Sequence, residues 1–183
     1  MTRFIAVQAA VLIALSACQQ QGGPKGEATL LRCDDAIGVV AAPPADMTVY
    51  FDRVALTTES VLQANPSGEP DAAGRLFAKD GLLIRRGTVF DLVVADESRG
   101  KATIGWGSPG KRTNHLRIHG CDPKSNSQVH GSGDWLAYAG GYWVAAPACV
   151  GLVVEADTQE TDARVAVGTA CPPLNGPPPM PSG

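Results

Sequence analysis

The three histidines are the side chains of this chain best suited to hold a metal ion. His115 and His119 lie four residues apart in a segment that alternates polar and apolar residues, as a β-strand does. At the rise of ~3.3 Å per strand residue, they are about 13 Å apart on one face, too far to share a metal. His130 could approach either one from its loop, but no carboxylate is arranged with it as a further ligand. We therefore expect no metal site, and expect both strand histidines to face solvent beside Arg117.

Ser132 and the pair Asp34–Asp35 are the candidates for nucleophilic or acid–base chemistry. Ser132 stands in His-Gly-Ser-Gly-Asp, whereas a nucleophile elbow needs Gly-x-Ser-x-Gly between a strand and a helix. The two aspartates lack further acidic residues at the spacing of a calcium loop. The sequence thus predicts no catalytic residue, no metal and no cofactor, and favours a protein that is not an enzyme.

The four cysteines after Cys18 can form two disulfide bonds, since none of the four lies in the Cys-x-x-Cys spacing of a zinc site. We expect Cys121–Cys149, which closes a short segment, and Cys33–Cys171, which ties the two ends of the domain together. The alternative is Cys33–Cys121 with Cys149–Cys171. A hairpin centred on residue 160 would favour that alternative by placing Cys149 opposite Cys171. The third pairing is also open.

The segment Asp134–Val154 is rich in aromatic residues and almost free of charge. Its Gly140-Gly141 pair predicts the two-residue turn of a hairpin. Neither face of that hairpin is polar, so either both are covered in the core or one is exposed. An exposed aromatic face would suit a sugar ring or a protein partner. The candidate binding residues are Trp135, Tyr138, Tyr142 and Trp143.

Short strands with turn residues every 8–12 positions predict the elements that carry these side chains. Met47–Leu56 reads as one strand, and Cys149–Asp157 with Asp162–Ala170 as a hairpin. No segment has a convincing helical pattern. The expected fold class is all-β: a single antiparallel β-sandwich, immunoglobulin-like, with two disulfides.

Composition excludes one class of partner. Of 183 residues, 44% are hydrophobic and 18% charged, and the net charge is −3. No cluster of basic residues supplies the electrostatic surface that nucleic acids require, so we expect no nucleic-acid binding.

The first residues resemble a bacterial lipoprotein signal. Arg3 precedes the apolar run Phe4–Leu15, which is too short to span a bilayer. The run ends in Leu15-Ser16-Ala17-Cys18, which resembles a lipobox. The resemblance implies cleavage before Cys18 and a lipid on that cysteine. We expect a signal peptide at 1–17, a flexible tether at 18–29, the domain at 30–171 and a proline-rich disordered tail at 172–183.

The segment from Leu82 to Cys171 resembles a group of uncharacterised exported bacterial lipoproteins. The resemblance is carried by Gly-Leu-Leu-Ile-Arg-Arg-Gly-Thr-Val-Phe from Gly81, by Tyr138-x-Gly-Gly-Tyr and by Val167-Gly-x-x-Cys171-Pro. It implies an extracytoplasmic β domain and no particular activity. We expect a module lipid-anchored on the outer side of a bacterial membrane, binding a cell-wall polymer or an envelope protein. The alternative is an accessory subunit or chaperone of an envelope complex.

Overall fold

The computed structural model describes residues 26–69, 72, 74–107, 110–121 and 132–173. Residues 1–17, Cys18, most of the tether, His130 and most of the proline-rich tail lie outside this range. None of the described helices is long and apolar enough to cross a membrane. The described residues form thirteen strands: β1 Thr29–Leu31, β2 Gly38–Val40, β3 Met47–Tyr50, β4 Val54–Thr57, β5 Val61–Leu62, β6 Asn65–Pro66, β7 Leu76–Arg85, β8 Phe90–Val94, β9 Ala102–Trp106, β10 His115–Ile118, β11 Trp135–Val144, β12 Ala148–Ala156 and β13 Gln159–Val167.

These strands form two sheets, so the expected all-β class is confirmed. The six-stranded sheet has the order β1-β10-β8-β12-β13-β5. The seven-stranded sheet has the order β2-β11-β7-β4-β3, with β6 also paired to β7 and β9 to β11. Neighbours are antiparallel except at the two edges of the six-stranded sheet, where β1 runs parallel to β10 and β5 parallel to β13.

One hydrophobic core lies between the two sheets. Alternate residues of β7 and β11 point into it, and they meet residues of β8 and β12 from the other sheet. Ile84 and Leu136 on one side and Leu92 and Leu152 on the other are at most 1% exposed. The arrangement is therefore sandwich-like, and burial of both inner faces is its main source of stability.

The segment Met47–Leu56 is two strands and not the single strand expected from its composition. Phe51 and Asp52 have positive φ angles of 53° and 57°, and the backbone N–H of Arg53 donates to the carbonyl of Tyr50. β3 therefore turns directly into β4. Asp tolerates this left-handed conformation better than most residues, but nothing in the local pattern marks Phe51 for it.

The Gly140-Gly141 pair is not a turn, contrary to the expected hairpin. β11 runs straight through it, with Gly140 opposite Asp80 of β7 and Trp106 of β9. A Cβ atom at Gly140 would lie 2.1 Å from the carbonyl oxygen of Gly105, and one at Gly141 2.0 Å from that of Ala78. Both positions need glycine because neighbouring backbone approaches them closely.

The disulfides follow the alternative pairing. The expected bonds Cys121–Cys149 and Cys33–Cys171 are wrong, because the structure joins Cys33 to Cys121 and Cys149 to Cys171. Leu31 and Ile118 are parallel partners, so the chain leaves both strands in one direction and brings Cys33 beside Cys121.

The second bond closes the predicted β12–β13 hairpin, which the structure confirms with a turn at Asp157-Thr158. Its register places Cys149 opposite Ala166 rather than opposite Cys171. The chain then bends at Gly168, which has a φ of 70°. This bend returns Cys171 to within 4.8 Å of Cys149, measured between Cα atoms.

Candidate functional site

The four aromatic residues expected to bind a ligand form no exposed face. Tyr138 and Tyr142 point between the sheets and are fully buried. Trp135 and Trp143 lie on the outer face of the seven-stranded sheet, yet they are only 6% and 3% exposed. The hypothesis of an exposed aromatic patch on β11 is therefore wrong. The continuous strand explains this, because it places both tyrosines on the core face.

A groove beside Trp143 is the best candidate site among the described residues. It consists of two adjoining cavities of about 350 and 250 Å³, which share Glu69, Phe77 and Lys79. The larger cavity falls in the usual range of ~300–1,000 Å³ for small-ligand sites. We call this feature the β7 groove, since Phe77 and Lys79 point outward from β7.

The floor of the β7 groove is the ring of Phe77, which packs at a 38° tilt against the ring of Trp143. Phe77 and Trp143 are directly opposed on β7 and β11, and their ring centroids are 4.7 Å apart. The Arg112 guanidinium lies 6.0 Å from the centroid of the Trp143 ring. Trp143 thereby supports Phe77, whose partly exposed ring lines both cavities. The indole Nε1 of Trp143 is buried and has no hydrogen-bond partner among the described residues.

The rim of the β7 groove is polar, and its described residues carry one charge of each sign. Gln63, Asn65 and Ser67 offer amide and hydroxyl groups, and the Gln63 amide donates to the Asn65 side chain at 3.5 Å. Glu69 supplies a carboxylate and Lys79 an ammonium group. An aromatic floor with neutral donors and acceptors around it can hold a polar, uncharged molecule that has one apolar face.

No feature of the sequence alone marks the β7 groove. The segment Asn65–Gly74 is dense in turn-forming residues, and none of its polar side chains was expected to bind a ligand. The groove exists because β6 pairs with the start of β7, with Asn65 opposite Phe77. That pairing is non-local, and no pattern in the segment indicates it.

The histidines are arranged differently from the expectation that both face solvent. His119 is exposed. His115 is on the outer face of the six-stranded sheet but is only 6% exposed. Its Nε2 lies 2.6 Å from the Asp91 carboxylate. Arg117 donates two hydrogen bonds to the same carboxylate, at 2.7 and 2.9 Å.

The other residues considered for chemistry form no catalytic arrangement among the described residues. Ser132 is exposed. Asp34 and Asp35 lie in the 3₁₀ turn Cys33–Asp35, and Arg32 forms an ion pair with Asp34 at 2.5 Å. Hydrogen bonding to Arg32 lowers the pKa of Asp34. Across the described ranges, no three metal-binding side chains come together.

One carboxyl group is buried between the sheets. Asp80 of β7 is 8% exposed, and burial raises its pKa to about 6. Its Oδ1 accepts hydrogen bonds from the Thr57 hydroxyl at 2.8 Å and from the Gly81 N–H at 2.9 Å. Its Oδ2 and the hydroxyl of Tyr142 are both buried with no partner in the described part of the chain.

Searches of protein-family models, curated proteins and solved structures each found no match for this chain. Its function is therefore argued from its own geometry.

Proposed function

We propose that the chain is a lipid-anchored, non-catalytic binding module of the bacterial cell envelope, and that its β7 groove binds a neutral stretch of cell-wall polysaccharide. The observation that carries the proposal is the Phe77 ring, lying between polar side chains on the outside of a rigid sheet. Sugar rings present apolar C–H faces edged by hydroxyls. They fit a floor of one aromatic ring and a rim of amides, a carboxylate and an ammonium group.

The support beneath Phe77 favours binding without rearrangement. Its ring packs against Trp143, and the two residues sit on paired strands in the middle of a sheet. A site on a rigid sheet loses little conformational entropy when a ligand binds. Among the described residues that line the groove, the charges of Glu69 and Lys79 offset each other, which favours a neutral ligand over an anionic one.

The proposed location rests on two features. The first is the lipobox-like Leu15-Ser16-Ala17-Cys18, with Cys18 as the lipid-bearing residue. The second is the pair of disulfides, which persist in oxidising compartments and are rare in the cytosol. For the fold, two sheets sharing one core support a β-sandwich. The immunoglobulin-like strand arrangement stays a prediction.

Co-sedimentation with isolated peptidoglycan sacculi tests the groove. We expect the wild-type chain to pellet with sacculi and Phe77→Ala to bind about tenfold or more weakly, a loss of ~1.4 kcal/mol. Lys79→Gln keeps a polar group on an exposed strand position and should weaken binding less. Ile37→Ala is the matched control, since Ile37 is 68% exposed and lies outside the groove.

Two results would overturn the proposal for the groove. One is a wild-type chain that does not pellet with sacculi. The other is a folded Phe77→Ala variant, checked by thermal unfolding, that binds as well as Ile37→Ala. If crosslinking in intact cells instead captures one envelope protein through the groove, an accessory subunit of a complex becomes the better assignment.

The anchor is tested at Cys18. We expect the wild-type chain to fractionate with membranes and Cys18→Ala to be released as a soluble protein. Release of the wild type in cells with active lipoprotein processing would exclude the anchor and leave the groove untouched.

A further inference from the structure

Both nitrogens of the His115 ring face hydrogen-bond acceptors. Nε2 lies 2.6 Å from the Oδ1 atom of Asp91 on β8. Nδ1 lies 2.9 Å from the backbone carbonyl oxygen of Gly26, the first described residue. The side chain therefore bridges the sheet and the segment through which the chain enters the domain.

The protonation state of this ring decides how many of these bonds it can make. A neutral imidazole carries one N–H and can donate to only one acceptor, whereas an imidazolium donates to two. The carboxylate of Asp91 is the stronger acceptor because it is charged. Loss of the ring proton therefore removes the hydrogen bond to Gly26 and leaves the bond to Asp91.

The surrounding charges keep the Asp91 carboxylate ionised. Arg117, on the same strand as His115, donates two hydrogen bonds to Asp91. Burial opposes ionisation of Asp91, but the bonds from Arg117 and His115 outweigh it and lower the pKa of the carboxyl group. Glu155 on β12 is the register partner of Asp91. Glu27 is the charged residue next to Gly26 in the chain.

Within the described part of the chain, a short strand and one buried side chain also hold the entry segment. β1 is three residues long and pairs only at the edge of the sheet, with Leu116, Arg117 and Ile118. Leu31 is buried at 2%, whereas Leu30 is 52% exposed. Cys33, two residues past β1, is fixed by its disulfide to Cys121. The residues before Cys33 can therefore leave the sheet without breaking this covalent bond.

We propose that His115 is a protonation-dependent latch, which docks the entry segment Gly26–Leu31 onto the six-stranded sheet when its ring is charged and weakens that docking when the ring is neutral. Full release as far as Arg32 would free seven residues, or about 23 Å of extended chain. In an anchored protein this release changes how far the domain reaches from the membrane. The latch itself does not depend on the β7 groove.

Amide hydrogen exchange of the full chain, corrected for intrinsic exchange rates, tests the latch. We expect protection of residues 27–31 to be roughly tenfold lower at pH 8 than at pH 5, since only the charged ring donates to both acceptors. Protection in the β12–β13 hairpin should stay constant. His115→Gln cannot be protonated, so its entry segment should have low protection at both pH values. His119→Gln is the matched control, with an exposed ring four residues away, and should behave as wild type.

Three results would overturn the latch. Wild-type protection of residues 27–31 could be the same at pH 5 and pH 8. His115→Gln could retain the wild-type change with pH. Nitrogen chemical shifts could show a His115 ring with a single N–H at pH 5, which would exclude the charged bridge even if His115→Gln failed to fold. Each result leaves binding to sacculi unaffected, so the latch and the groove fail separately.

Discussion

Asp80 and Asp91 are carboxyl groups on strands of facing sheets, and they have opposite environments. Asp91 lies on the outer face of the six-stranded sheet and accepts hydrogen bonds from Arg117 and His115. Asp80 points between the sheets, and within the described part of the chain its side chain accepts only from a hydroxyl and a backbone N–H. The pKa of Asp91 is lowered, and that of Asp80 is raised to about 6.

The difference shows what a cationic partner does for a carboxylate in this fold. Both groups lose hydration on folding, which by itself favours the neutral form. Only Asp91 recovers that loss, through charge-assisted hydrogen bonds. Asp91 should therefore stabilise the protein at neutral pH, and Asp80 should destabilise it there.

The largest effect is expected from Asp80→Asn, which removes the buried ionisable group. The pKa of Asp80 is about 6 in the fold against an ordinary value of 3.8. Its favourable contribution is thus present below pH 4 and lost as the pH rises through about 6. This difference corresponds to a few kcal/mol, on the order of 3. Urea unfolding should show Asp80→Asn more stable than wild type by up to about that amount at pH 8, with little difference at pH 4. A wild-type unfolding free energy that does not change between pH 4 and pH 8 would contradict the raised pKa of Asp80.

A smaller effect of opposite sign is expected from Asp91→Asn. Because the pKa of Asp91 is lowered, its contribution is present above the ordinary value of 3.8 and lost as the pH falls through the folded value. Arg117 is 43% exposed, so solvent screening limits the loss at pH 7 to about 1 kcal/mol. Asp162→Asn, which removes an exposed charge from the same sheet, is the control. Equal unfolding free energies for Asp91→Asn and Asp162→Asn at pH 7 would count against a stabilising contact of Asp91 with Arg117 and His115.

The smallest effect is expected from Tyr142→Phe. The Tyr142 hydroxyl is buried without a partner among the described residues, and burial raises its pKa well above 10. Removing it should leave the unfolding free energy unchanged or increase it by less than about 1 kcal/mol. A loss of more than about 1 kcal/mol would show that the hydroxyl makes a stabilising hydrogen bond, with Asp80 as the first residue to examine.

Local patterns predicted the strands, because alternation is a property of each segment alone. In the alternating segment that contains His115, the apolar residues Leu116 and Ile118 are both buried. The β12–β13 hairpin was found for the same reason. The predictions that were wrong depend on contacts between residues distant in sequence. The parallel pairing of β1 with β10 decides the disulfides, and no segment on its own encodes that pairing.

The functional residues were harder to predict because burial is a tertiary property. Gly-Gly is typical of turns, yet here it lies inside a strand where neighbouring backbone leaves no room for a side chain. His115 has the parity of an outward residue, but the entry segment covers it. Phe77 was not singled out from the sequence, because only its pairing with Trp143 and Asn65 places it in a groove.

The two outermost strands of the six-stranded sheet cover their neighbours to different extents. β1 pairs with three of the four residues of β10, whereas β5 pairs with only the last two of the nine residues of β13. A long free edge is a template onto which another chain can add a strand. Among the described residues, most of β13 has no strand on its outer side, so this edge, more than that of β1, is where a second chain could extend the sheet.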